Sequence, residues 1–298
     1  MRPKTPTLSR REVLKTAVSA ALTFPFLGAA ATAVRAAETA VKKPDARGRS
    51  TNLKLGVASF SLSKSSVEDL IAVLQQLKIE NVSLYKTHVP WADGSPEQCR
   101  AVAEKFKLAG ITVTGTGVVD FTNDEATARK AFDNDRAAGV PLIVGHPLKD
   151  ALPLVDRLVK EYDIKVAIHN HGPSDLYGSP FETMKVLEPF DQRLGVCLDV
   201  GHGFRAGIDP VEAIHRCRSR LLDLHIKDTA APVGGPTKDP APVVIGRGRL
   251  DIRGILTALL ETKYTDVVGF EYEESTKEKV AGLAECVGYI RGMLAASA

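Results

Sequence analysis

The sequence predicts an α/β protein folded as a single (β/α)8 barrel, a TIM barrel, and three observations carry that prediction. Eight strand-like runs, LKLGVASF, NVSLYKTHV, ITVTGTGVVDF, PLIVGHP, KVAIHNHG, GVCLDVGH, LLDLHIKD and VVGFEYE, alternate with helix-like segments. The runs are almost continuously apolar, as expected of parallel strands covered by helices rather than strands with one wet face. The eight units occupy residues 53–298, close to the ~250 residues usual for a closed barrel. An open doubly wound sheet is the competing arrangement. Its G-x-G-x-x-G fingerprint is absent after the first strand, and Gly115-x-Gly117 lacks the third glycine.

The helices announce themselves by their caps. Ser65 with Glu68, Ser95-Pro96 with Gln98, Thr122 with Glu125, Asp209-Pro210 with Glu212 and Ser275 with Glu278 match the pattern that satisfies the first-turn amides. In the first helix Val67, Leu70, Ile71, Leu74 and Leu77 share one face, which needs a sheet to cover. The longest irregular stretch, about 229–248, is rich in Pro and Gly. Its position after the seventh strand puts it on the catalytic face, as a lid or rim over a site.

The amino end reads differently. Ser9-Arg10-Arg11 with Val13-Leu14-Lys15, an apolar stretch from about Ala17 to Ala33 and a Val34-Arg35-Ala36 cleavage sequence make residues 1–36 a twin-arginine export signal. A membrane anchor fits less well, because the stretch is short, contains Pro25 and lacks a stop-transfer flank. Residues 37–52 are polar and charged and read as a linker, leaving 53–298 as the barrel domain. The expected location is periplasmic or otherwise exported, with the twin-arginine machinery as a partner.

Charge and cysteine usage narrow the function classes. The chain carries +3 overall, but its first 36 residues hold six Lys or Arg and one Glu, so the mature chain carries about −2. That argues against a nucleic-acid partner, which calls for basic clusters in the folded part. No other apolar run reaches the ~18 residues of a membrane span. With 44% hydrophobic residues the core needs no covalent staples. Cys99, Cys197, Cys217 and Cys286, scattered with no C-x-x-C, read as buried free thiols.

The chemistry is carried by four strand ends: His169 in KVAIHNHGP, Asp199 in RLGVCLDVGH, His225 in LLDLHIKD and Glu271 in VVGFEYEE. A barrel gathers strand ends onto one rim, so ligands scattered along the sequence can converge without a local motif. Two imidazoles and two carboxylates suit a divalent ion such as Mn, Co, Zn or Mg, and the mixture does not choose among them. Each residue also has a plainer reading. A lone inward histidine is more often a hydrogen-bonded core residue, and Asp199 suits a strand-to-helix cap. His225 between Asp223 and Lys227 could be one step of an internal polar ladder, and Glu271 and Glu273 could pair with Lys227. Joint occurrence at successive strand ends favours the metal. Six of the seven histidines, all but His215, fall at strand ends. Lys86, His88, His146, His171, His202 and Arg247 add polar groups to the same rim.

The layout, with Asp199-Val-Gly-His202, His225-Ile-Lys-Asp228, Gly246-Arg-Gly248 and Phe270-Glu271-Tyr-Glu273, resembles the xylose isomerase-like barrel superfamily of sugar isomerases and epimerases, also called the AP endonuclease 2-like family. The resemblance covers about Leu53 to Ala295. It implies metal ligands at 169, Asp199, His225 and Glu271, and substrate oxygens held by His202, Lys227 and Arg247. This chain departs from the pattern where many members read Glu-Asn-His and it reads His169-Asn170-His171. His169 is then either a ligand or a neutral base, and a symmetric pair of glutamates is lost. The implied function is an exported, metal-dependent isomerase or epimerase that removes a proton beside the carbonyl of a sugar or sugar derivative. Alternatives are a lyase or dehydratase of a keto sugar, 3-keto-glycoside or inosose, and a non-catalytic exported sugar-binding barrel. A phosphorylated substrate fits poorly, since no Gly-rich phosphate cradle is visible. The endonuclease branch would need a basic groove.

Overall fold

The computed structural model describes residues 53–91, 93–230, 241–274 and 278–296. The expected export signal and linker, the Ser275 cap and the middle of the lid segment lie outside these residues. Eight parallel strands close into a barrel: β1 (Lys54–Ala58), β2 (Asn81–Leu84), β3 (Thr112–Phe121), β4 (Leu142–Pro147), β5 (Lys165–His169), β6 (Leu194–Asp199), β7 (Leu221–Ile226) and, last in the chain, β10 (Val267–Phe270). Each of the eight apolar runs supplies one strand. Closure is made by β1, which pairs with β10 on one side and β2 on the other. In β4, β5, β6 and β7 nearly every residue is buried on both faces, which is why those sequences are almost continuously apolar, whereas β2 and β3 are only partly buried.

Nine helices are present among the described residues. The first, α1 (Val67–Leu77), buries Leu70, Leu74 and Leu77 against the barrel, with Val67 and Ile71 packed at the edge of the same cluster. It is followed by α2 (Pro96–Leu108), α3 (Glu125–Ala138), α4 (Leu152–Tyr162), α5 (Pro180–Leu187), α6 (Val200–Arg205), α7 (Pro210–Cys217), α8 (Ile252–Glu261) and α9 (Lys279–Ala296). Ser95 and Gln98 form a reciprocal capping box at α2, and Asp209 caps α7 by accepting from the Val211 amide at 2.8 Å. Two caps sit one or two residues later than their sequence patterns suggest. Ser66, not Ser65, caps α1, because Asp69 repeats the acid spacing one residue on and its amide donates to Ser66 Oγ at 3.0 Å. At α3 the cap is Asp124, whose carboxylate takes two first-turn amides and complements the helix dipole, while Thr122 accepts from the Asp124 amide.

The segment expected to be irregular opens with a two-residue antiparallel pair, β8 (Asp228–Thr229) with β9 (Pro242–Val243). Its closing turn is organised by one buried carboxylate. Asp228 Oδ2 accepts from the Gly246 and Gly248 amides at 3.0 and 2.9 Å, and Oδ1 accepts from Thr229, Arg249 and Leu250 at 2.9, 3.0 and 3.2 Å. Gly248 is required because a Cβ there would collide with this carboxylate. The Gly-Arg-Gly motif is thus a backbone cradle around Asp228.

All four cysteines are free and buried, and burial pushes their thiols up, to about 11 for Cys99, Cys217 and Cys286 and about 12 for Cys197. The native protein is therefore expected to leave a thiol reagent such as Ellman's unreacted at pH 8, and to react at all four positions once unfolded. Rapid reaction of any thiol in the folded state would contradict the packing. Asp228→Ala strands up to five amides and is expected to destabilise the fold by about 3 kcal/mol or more. Arg247→Ala, which removes an exposed pair with Glu285, should cost no more than about 1 kcal/mol. Urea unfolding of the two variants measures both.

Candidate metal centre

The sheet register brings the four strand-end residues together. Asp199 stands level with His225 across β6 and β7, His225 is level with Gly269 of β10, and Glu271 follows the last residue of that strand. His169, the last residue of β5, is level with Cys197. One ligand atom from each of His169, Asp199, His225 and Glu271 lies within 4.8 Å of all the others, and all four side chains are buried. His169 Nε2 is 3.0 Å from His225 Nδ1 and 3.7 Å from Asp199 Oδ2, and His225 Nδ1 is 3.2 Å from Glu271 Oε2.

These separations test the fit of a cation. Bonds of ~2.0–2.2 Å to a divalent ion place donor atoms about 3.4 Å apart in a tetrahedral shell. The observed spacings bracket that value, and the buried Asp199 Oδ2 is met by the Lys227 ammonium at 2.8 Å. Behind the ring, Asp223 Oδ2 lies 3.6 Å from His225 Nε2, a carboxylate behind an imidazole that would hold Nδ1 toward the centre. Asn170 clamps the end of β6, accepting from the Asp199 amide at 2.8 Å and donating to its carbonyl at 3.0 Å. Asp199 also caps α6 by accepting from the His202 amide at 2.7 Å, so its plain structural reading and its ligand reading both hold geometrically. The set fits a divalent ion without selecting one.

Lys227 sets the electrostatics. Its ammonium lies 2.8 Å from Asp199 Oδ2, 2.7 Å from Glu271 Oε2 and 3.1 Å from Glu273 Oε1. Burial works against this charge, but the three carboxylates outweigh it and hold the lysine protonated. Burial likewise raises Glu271, yet Lys227 and His225 hold its carboxyl well below the usual range. For Asp199, burial and Glu271 push up against Lys227, leaving it at about 6. Burial and repulsion from His225 keep His169 well below the ordinary imidazole value, so it is neutral. Burial and Lys227 bring His202 down to about 3. For His225, burial opposes protonation, but the Glu271 carboxylate, 3.2 Å from Nδ1, raises it.

Above the ring opens a cavity of about 710 Å³. His146, His171, His202 and Lys86 line it, as the sequence suggests. Three expected substrate contacts are placed elsewhere. Lys227 lies beneath the centre, saturated by three carboxylates. Arg247 points away to Glu285 at 2.6 Å, because its turn spends its backbone on Asp228 and throws the side chain outward. His88 is buried behind the wall, with Nδ1 2.9 Å from Ser59 Oγ, and Ser59 faces the cavity in its place. Asp175, Asp120 and Arg205 line the cavity and carried no signal in the sequence. Asp175 sits in a loop, Asp120 near the exposed end of β3 and Arg205 at the last residue of the short α6, where no periodicity marks them.

Fold and centre together define a parallel eightfold barrel with a buried histidine and carboxylate ring at its C-terminal rim, the face that carries active sites in this architecture. The chain belongs to the xylose isomerase-like TIM barrel family, whose model matches residues 71–291. No curated protein matches the sequence. Among solved structures, the chain is similar to an L-ribulose 3-epimerase (17% identity, TM-score 0.66, covering 83% of this chain and 96% of that one). It is also similar to the IolI protein with a bound zinc atom (19%, 0.65, 82% and 97%). A third likeness is to AsbF of Bacillus anthracis, a probable 3-DHS dehydratase involved in petrobactin synthesis (14%, 0.65, 80% and 99%). At these identities the likeness is one of fold.

Lys227→Met removes the ammonium from among three carboxylates, and in chelator-treated protein it is expected to destabilise by about 3–5 kcal/mol. A divalent ion supplies the missing charge, so added zinc or manganese should recover much of that loss in urea unfolding. An equal loss with and without metal would contradict the electrostatic account.

Proposed function

We propose that this chain is a divalent-metal-dependent enzyme that removes a proton beside the carbonyl of a sugar or sugar derivative, with isomerisation or epimerisation as its reaction. The observation that carries the reading is the buried His169, Asp199, His225 and Glu271 ring at the floor of a polar-walled cavity. The zinc in the IolI structure and the epimerase and dehydratase among the structural neighbours support it. The twin-arginine reading of residues 1–36 assigns this chemistry to the periplasm or another exported location.

The four residues would hold the ion, which when bound polarises a carbonyl oxygen and acidifies the adjacent C–H. Glu271, ionised throughout the neutral range, is the group to accept the proton, and Lys227 holds it in place. Glu273, which also lines the cavity, extends the same carboxylate wall. His202, with Arg205 donating to Nδ1 at 2.9 Å, and Lys86 at the rim are placed to meet substrate oxygens. Phe60 and Tyr85, edge to face at 4.9 Å, give the opposite wall an apolar surface.

A second reading, elimination from a keto sugar, 3-keto-glycoside or inosose, is favoured by one feature. Where a two-carboxylate site needs its second acid, β5 ends in the neutral His169, which breaks the symmetry that reversible epimerisation uses.

Proton exchange in D2O over a panel of neutral and keto sugars tests both. Metal-dependent entry of deuterium at the carbon beside the carbonyl is expected, falling by at least about 10²-fold in Glu271→Ala. A product with all its oxygens marks the isomerase, and an unsaturated product with a released group marks the lyase. His169→Ala, Asp199→Ala, His225→Ala and Glu271→Ala should fold yet lose metal by elemental analysis, whereas Lys86→Ala should keep it. Metal-independent sugar binding without exchange would overturn the enzyme in favour of a binding module.

A further inference from the structure

We propose that the same cavity holds a second divalent-cation site, built from His146, His171 and Asp175. His146 lies near the end of β4, His171 two residues beyond β5, and Asp175 in the loop that follows. One donor atom from each lies within 4.8 Å of the other two. His146 Nε2 is 3.0 Å from Asp175 Oδ1, and His171 Nδ1 is 3.8 Å from Asp175 Oδ2. These values lie on either side of the ~3.4 Å expected between donors on one tetrahedral ion.

The site is braced by its loop. Asp120 Oδ1, exposed near the end of β3, stands 3.6 Å from His146 Nδ1. The Tyr177 amide donates to Asp175 Oδ1 at 2.9 Å, and the Tyr177 hydroxyl donates to the Pro147 carbonyl at 2.8 Å, tying the loop that carries Asp175 to the end of β4. A simple His146–Asp175 hydrogen bond would explain two of the three residues. It leaves His171 Nδ1 buried with no hydrogen-bond partner, its nearest carboxylate oxygen beyond reach. A cation satisfies all three.

Three protein ligands, each only partly buried, leave open coordination positions toward the cavity. The His169 and His171 rings are 4.5 Å apart, so the two centres lie side by side. A ligand with several adjacent oxygens, such as a polyhydroxylated carbonyl compound, would then be held at two points. The second site does not depend on the first being occupied, nor on the reaction proposed above.

Equilibrium dialysis of chelator-stripped protein against Co(II), read by elemental analysis and by d–d absorption, tests it. Two ions per chain are expected in the wild type and one in His146→Ala, Asp175→Asn and Glu271→Ala. None is expected in the His146→Ala/Glu271→Ala double variant, with folding checked by circular dichroism. One ion in the wild type, abolished by Glu271→Ala and untouched by His146→Ala and Asp175→Asn, would overturn the second site and leave the first standing. One ion abolished by His146→Ala and retained by Glu271→Ala would uphold the second site and sink the first.

Discussion

Three carboxylates gathered around one buried ammonium constrain everything at the rim of this barrel. Asp199, Glu271 and Glu273 meet Lys227 at 2.7–3.1 Å, with His169 and His225 packed against the same atoms. Burying charge is costly unless it is paired, and one ammonium does not balance three carboxylates. The deficit of positive charge is one that a divalent cation would relieve, and the Glu271 carboxylate raises His225 against its burial. Burial, with repulsion from His225 at His169 and from Lys227 at His202, keeps both of these imidazoles neutral.

The barrel makes such a concentration of charge tolerable. Parallel strands end on one rim, so polar residues can crowd there while the strand bodies stay apolar on both faces. The supporting parts are local. Asn170 pins the end of β6, Asp223 backs His225, and Gly201 leaves room for the Lys227 stem, which a Cβ would strike. Asp228, the next residue but two after His225, closes the turn after β9 through five amides. The motifs of strands six to eight therefore combine the clustered histidines and carboxylates with the packing that holds them.

Much of this was legible in the order of residues. Eight apolar runs gave eight barrel strands, and the Ser95 and Asp209 caps fell where their chemistry requires. The misplacements have a common physical source. Ser65 and Ser66 both satisfy the spacing of a cap, and only the orientation of the buried helix face selects between them. Arg247 lies in a motif that points to a site, but its turn is anchored by backbone, so the side chain faces solvent. His88 and Lys227 lie deeper than their strand-end positions imply, because a strand end sets which rim a side chain reaches but not its depth. Asp175 and Asp120 had no pattern at all.

The sequence by itself determined the barrel and pointed to the four strand-end residues that meet at its rim, because strand periodicity and residue chemistry are local properties. Only the tertiary structure decided which charges neutralise one another, because pairing depends on distances across strands far apart in the chain. It made Lys227 an internal counter-ion, turned Arg247 outward, and set Asp175 beside His146 and His171.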